Sequence, residues 1–177
     1  MRKVLLGALL AVLCVSSAFG GATEEWLEVL QDEDTTPQDV LNFINSGADV
    51  NDAKNEYGRT VLMLAVATNS NPEIIKTLLN AGADINAKDD SRNTALMWAA
   101  TYTDNPEIIK ILLNAGADIN AKNEYGNTVL MCAENPEVVK VLLNAGADIS
   151  AKDNDGYTVL DYGKSDEVKE LLRNAAH

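Results

Sequence analysis

Asn71-Pro72-Glu73-Ile74-Ile75-Lys76-Thr77-Leu78-Leu79-Asn80-Ala81-Gly82-Ala83-Asp84-Ile85-Asn86 is the stretch that decides the fold. It returns almost unchanged from Asn105 to Asn120 and from Asn135 to Ser150. Asn before Pro-Glu is a strong helix start. The Asn side chain accepts free N–H groups, Pro has no N–H to leave unpaired, and Glu sits at the positive end of the dipole. Ile74, Ile75, Leu78 and Leu79 form an apolar stripe at helical spacing. Gly82 supplies the left-handed residue that ends the helix, and Gly116 and Gly146 repeat it. Gly-Ala-Asp recurs at Gly47, Gly82, Gly116 and Gly146, with spacings of 35, 34 and 30. A fixed period of this size marks stacked supersecondary units.

Between these helices a second mark recurs, Thr-x-Leu, at Thr60, Thr94, Thr128 and Thr158. Each Thr is expected to cap a first helix whose apolar positions, such as Val61, Leu62, Ala65 and Val66, face the stack. Each unit therefore reads as two short helices and a projecting turn. Together these marks resemble the ankyrin repeat. The resemblance covers about residues 23 to 177. It implies an all-α ankyrin-repeat solenoid of about five helix-turn-helix repeats with short β-turn or hairpin loops. The expected repeats are 23–49, 50–84, 85–118, 119–148 and 149–177, within a domain spanning 21–177.

Three departures from the family pattern carry expectations. The family's TPLH reads Thr60-Val61-Leu62-Met63, Thr94-Ala95-Leu96-Met97 and Thr128-Val129-Leu130-Met131, so apolar Met packing must replace the histidine's ties. Arg92 stands where Gly58, Gly126 and Gly156 stand, so its turn is expected to distort or to pass strain to Asn93. Thr128 to Glu137 is shorter than Thr60 to Glu73, so the fourth first helix lacks about one turn, and the fifth is similarly short. At the ends, Thr23–Gln31 and Thr36–Ser46 read as an opening helix pair. Glu167 and Glu170 replace apolar positions of the last helix, as a capping repeat requires.

Composition narrows the function. The chain has 177 residues, 46% hydrophobic and 23% charged, with 14 Lys+Arg against 27 Asp+Glu and a net charge of -13. So acidic a surface repels nucleic acid and anionic lipid. The single His is His177, which removes Ser/His/Asp and Cys/His catalysis and multi-His metal sites. No enzyme activity, cofactor or metal is expected. Met1-Arg2-Lys3, an apolar run from Val4 to Val15, and small residues to Gly20 have the layout of a secretory signal peptide over residues 1–20. Cleavage is open between Ala18 and Gly20. Leu13 before Cys14 is too bulky for the usual lipobox. Loss of Arg2 and Lys3 takes the charge from -13 to -15. It also leaves Cys132 as the lone thiol, expected to be a buried small hydrophobe. The mature chain is expected to be exported, periplasmic or secreted, monomeric, and off the membrane.

The ankyrin resemblance implies a module that binds a protein partner on the concave face of the stack through its fingertip turns and first-helix faces. The acidic charge favours a partner with a basic patch. Matching the family's contact positions gives Tyr57, Arg59, Arg92, Tyr102, Tyr125 and Tyr157 as the main candidates. Tyr and Arg dominate interface hot spots. The competing reading of each tyrosine is local packing over its own turn. Trp98 shares a slot with Leu64, Cys132 and Tyr162 and is expected to be framework. Lys54, Lys88, Lys122 and Lys152 form a row expected to be a solvated edge pairing with nearby Asp and Glu. Asp49, Asp84, Asp118 and Asp148 are expected to order the turn after each helix rather than to do chemistry. The chain is also similar to bacterial periplasmic or secreted ankyrin-repeat proteins. That leaves two narrower alternatives, a host-directed effector and a protective or assembly factor for an exported enzyme.

Overall fold

A computed structural model describes residues 21–32, 34–69 and 71–175. The signal-peptide expectation for 1–20 lies outside them. The described chain is all-helical: α1 (Gly21–Gln31), α2 (Pro37–Asn45), α3 (Val61–Thr68), α4 (Pro72–Asn80), α5 (Ala95–Tyr102), α6 (Pro106–Asn114), α7 (Val129–Cys132), α8 (Pro136–Asn144), a 3-10 turn (Val159–Asp161) and α9 (Asp166–Ala175). It forms two compact units, one ending at Asp84 and one beginning at Ile85. In the first unit α1 packs on α3, α2 on α4, and α3 on α4. In the second, α5 packs on α6 and α7, α6 on α8, and α8 on α9.

The second-helix starts form as the sequence dictates. Asn71, Asn105 and Asn135 each accept the backbone N–H of the following Glu at 2.8–3.0 Å. Ile74, Ile75, Leu78, Ile108, Ile109, Leu112, Val138, Val139 and Leu142 are all completely buried. Each such side chain contributes roughly 1.5–3 kcal/mol relative to exposure. The first-helix caps are less uniform. Thr60 and Thr94 accept from the N–H three residues on at 3.4 Å. Thr128 makes no side-chain cap, and its buried hydroxyl has no partner among the described residues. Thr158 instead donates to Asp161, which stands where the other repeats have Met.

The shortened helices are present. α3 and α5 each have eight residues, α7 has four, and the fifth repeat has only the 3-10 turn. Four residues are about one helical turn. At the C-terminal end Val168 and Leu172 are buried while Glu167 and Glu170 face solvent.

Met63, Met97 and Met131 are buried, but they are not the whole replacement for the missing histidines. The Asn of each Gly-Ala-Asp-x-Asn motif opens a repeat and ties it to the Gly-Ala-Asp that closes the same repeat. Asn51 donates to Gly82 O at 2.8 Å and accepts from Asp84 N at 2.9 Å. Asn86 does the same with Gly116 O and Asp118 N, and Asn120 accepts from Asp148 N at 3.4 Å. Asp49, Asp118 and Asp148 each accept the N–H two residues on, closing the turn after the helix. Ser150 Oγ turns back to its own Asp148 at 2.7 Å, which with the backbone N–H holds that carboxyl below its ordinary range.

Arg92 corrects the expectation of a distorted turn. Its turn keeps the same bonds as its glycine counterparts: Arg92 N to Asp89 O is 2.8 Å, and Gly58 N to Asn55 O is 2.9 Å. Arg92 itself takes the left-handed conformation, with φ 63°, close to the 69° of Gly58. The ladder bonds on either side outweigh one residue's strain, about 1–2 kcal/mol. Arg92→Gly is therefore expected to raise stability by about 0.5–1 kcal/mol, the strain relieved less the extra entropy of glycine when unfolded. Urea unfolding reads this directly, and a loss of stability would contradict it.

Candidate protein-binding surface

The finger turns are built on one side chain each. Asn55 Oδ1 accepts from Tyr57 N and Arg59 N, and Asn123 Oδ1 from Tyr125 N and Asn127 N. Asp89 accepts from Asn93 N at 2.7 Å. Asp153 accepts from Asp155 N and Tyr157 N, both at 2.9 Å. In the second unit successive fingers are joined backbone to backbone. Glu124 N donates to Ser91 O at 2.9 Å, and Asn154 N to Tyr125 O at 3.0 Å. Asn123 Nδ2 reaches Asn93 Oδ1 and Asn154 Nδ2 reaches Glu124 O. The fingertips of this unit are a rigid strip, so their side chains lose little freedom when bound.

The slot shared by Leu64, Trp98, Cys132 and Tyr162 is tied to the finger base. Where the base is Asp, the slot carries an aromatic donor. Trp98 Nε1 donates to Asp89 Oδ2 at 2.9 Å, and Tyr162 Oη to Asp153 Oδ2 at 2.8 Å. Where the base is Asn, at Asn55 and Asn123, the slot is Leu64 or Cys132. Trp98 is thus framework, but half-buried and hydrogen-bonded rather than core. Burial and the Asp153 charge push the Tyr162 hydroxyl up to about 12. Burial by itself would raise Asp153. The hydrogen bonds from Tyr162 and the finger N–H groups outweigh it and hold the carboxyl below its ordinary range. Cys132 is half-buried rather than fully enclosed; burial raises its thiol, opposed by Lys164.

Tyr57, Tyr102, Tyr125 and Tyr157 are 53%, 60%, 61% and 57% exposed, so each keeps half its surface or more for another molecule. Three also lean on a neighbour. The Arg59 guanidinium lies 4.8 Å from the Tyr57 ring centroid, and Tyr102 stacks on Trp98 with centroids 5.2 Å apart and planes at 17°. Hydrogen bonding and charge from neighbouring Glu124 raise the Tyr125 phenol above its ordinary value. Local packing and exposure therefore coexist. Tyr57 and Arg59 form one pair in the first unit. Arg92, Tyr102, Tyr125 and Tyr157 lie in the second, with Arg92 exposed at its fingertip. The lysine row differs from its expected role at Lys122, whose Nζ donates to Lys152 O at 2.7 Å and joins two repeats.

Sequence reasoning missed Lys164. Its side chain is 2% exposed, and Nζ donates to Met131 O at 2.7 Å and to Glu134 Oε1 at 2.8 Å. The missing turn of α7 was its signal, because a truncated helix leaves carbonyls that need donors. Among the described residues no group of three or more His, Cys, Asp or Glu is placed to hold a metal ion. No described helix is long and apolar enough to cross a membrane.

A family model for ankyrin repeats (three copies) matches residues 32–123, 67–153 and 104–176. The human mitochondrial disaggregase is 40% identical over 85 residues, which are 48% of this chain and 12% of that protein. This chain thus spans a small part of that relative's length. Helix pairs with Asn-Pro starts, Gly-ended second helices and stacked finger turns agree with the matched model over nearly all the described residues, and the chain belongs to the ankyrin-repeat family.

Proposed function

We propose that this protein is a non-enzymatic protein-binding module acting outside the cytoplasm. Ankyrin repeats are in general protein-protein interaction modules, and its finger turns and first helices would hold a partner bearing a basic patch. One observation carries the reading. Asn51, Asn86, Asn123 and Asn154 spend their amides on holding the frame together, while four tyrosines stay more than half exposed. Burying an exposed Tyr against a partner gains apolar area at low entropy cost. The basic start and apolar run before Gly20 support export. The net charge of -13 supports a basic partner.

The test is affinity capture from the exported fraction with the mature chain and with a Tyr57→Ala, Tyr125→Ala double variant. The variant is expected to lose about tenfold or more in affinity with unchanged helicity by circular dichroism. Equal affinity would reject the fingertip assignment. N-terminal sequencing of the same material should begin after Ala18 or Gly20. A cytoplasmic chain retaining Met1 would reject export.

A further inference from the structure

The fourth repeat's short helix has a consequence for its neighbour in the second unit. α5 has eight residues and the α7 packed against it has four, so the last turn of α5, Ala99–Tyr102, has no counterpart in α7. Ala99 and Ala100 are buried there, whereas Thr101 and Tyr102 face solvent. Tyr102 is not a loose side chain. Its ring lies on Trp98, and Trp98 Nε1 is held by Asp89, so the phenol is a fixed platform.

The platform stands in a negative field. Tyr102 is the last residue of α5, and its ring leans back over Trp98 one turn earlier. Exposed Asp104 follows two residues later, held by Asn135 Nδ2 at 3.2 Å. The whole chain carries -13. An exposed aromatic face on a chain this acidic suits a guanidinium, which stacks on rings and bonds carboxylates.

We propose that the outer face of Tyr102, with Asp104, receives an arginine side chain from a basic segment of the protein partner. This rests on the protein-binding reading and places one contact within it. Binding of short synthetic peptides to the mature chain tests it, using Arg-Gly, Gln-Gly and Glu-Gly repeats of equal length, measured by calorimetry at two salt concentrations. The Arg-Gly peptide should bind most tightly, and less tightly at high salt. Tyr102→Ala should weaken it about tenfold, Tyr102→Phe should stay within about twofold, and Asp104→Asn should weaken it about threefold. Circular dichroism should be unchanged throughout, because both side chains are exposed.

Equal binding of the Arg-Gly peptide by Tyr102→Ala and the parent chain would overturn the proposal. So would equal binding of the Gln-Gly peptide, preference for the Glu-Gly peptide, or a self-association in sedimentation that Tyr102→Ala abolishes. If Tyr102→Ala leaves peptide binding intact while the Tyr57, Tyr125 double variant loses capture, only this contact falls. If both variants bind as the parent does, the protein-binding reading falls with it.

Discussion

Replacing Gly126 by alanine is expected to cost about 3 kcal/mol or more, whereas the same change at Gly156 costs about 1. The two glycines share a turn position and nearly the same backbone, with φ 80° and 89°. The left-handed penalty therefore cancels between them. Their surroundings differ. A Cβ on Gly126 would lie 2.6 Å from Asn154 Oδ1, 2.7 Å from Asn154 N and 3.0 Å from Asp153 C, while one on Gly156 would meet nothing within 4 Å. The Asn154 amide could turn away, but the backbone atoms cannot move without opening the bond from Asn154 N to Tyr125 O. The difference between the variants thus isolates the contact that joins the fourth and fifth fingers. Urea midpoints give the two costs, and hydrogen exchange at the Asn154 amide should quicken in Gly126→Ala alone. Equal costs would mean that the fingers are held elsewhere.

The frame was legible wherever one residue type has one use. Asn-Pro-Glu starts, Gly stops and paired Leu residues report local backbone needs, and the structure meets each of them. The substitution of Ser150 for Asn stood in the sequence, but its consequence needed the structure. Asn51 and Asn86 each bridge to a following Gly-Ala-Asp, and Asn120 accepts from the third such copy, whereas the shorter Ser150 bonds its own Asp148. The pairing of Asp89 with Trp98 and Asp153 with Tyr162 was present as co-substitution along one chain. It needed the distance across the finger to be seen, because the partners stand nine residues apart with no periodic relation. Arg92 was misread because strain was assigned to the turn, when the ladder around it is stiffer than one residue's φ. Of the candidate surface, exposure of the tyrosines followed from their polar flanks. The stacking of Tyr102 on Trp98 followed from an i,i+4 spacing that the framework reading of Trp98 obscured.

Lys164→Ala is expected to cost about 2–4 kcal/mol and to loosen the fourth and fifth repeats first. In α5 the carbonyl of Met97 receives the Thr101 hydroxyl at 3.0 Å from one turn on. In α7 the equivalent carbonyl belongs to Met131, and the next turn does not exist. Lys164 fills that place from the following repeat, with its ammonium 2.7 Å from Met131 O and its side chain 98% enclosed. Alanine would strip both the donor and the packed stem, leaving a carbonyl without its buried partner. Lys164→Met keeps most of the stem and should cost about 1–2 kcal/mol, the loss of the bond alone. Glu134→Gln should cost under about 1 kcal/mol, because Glu134 is 65% exposed and the ion pair is screened. This ranking separates a carbonyl cap from a salt bridge. Were Glu134→Gln as damaging as Lys164→Ala, the ion pair rather than the cap would hold the repeats. Hydrogen exchange locates the effect: amides of α7 and α9 should lose protection before those of α6, since α7 and α9 flank the lysine and α6 carries a full-length partner in α5.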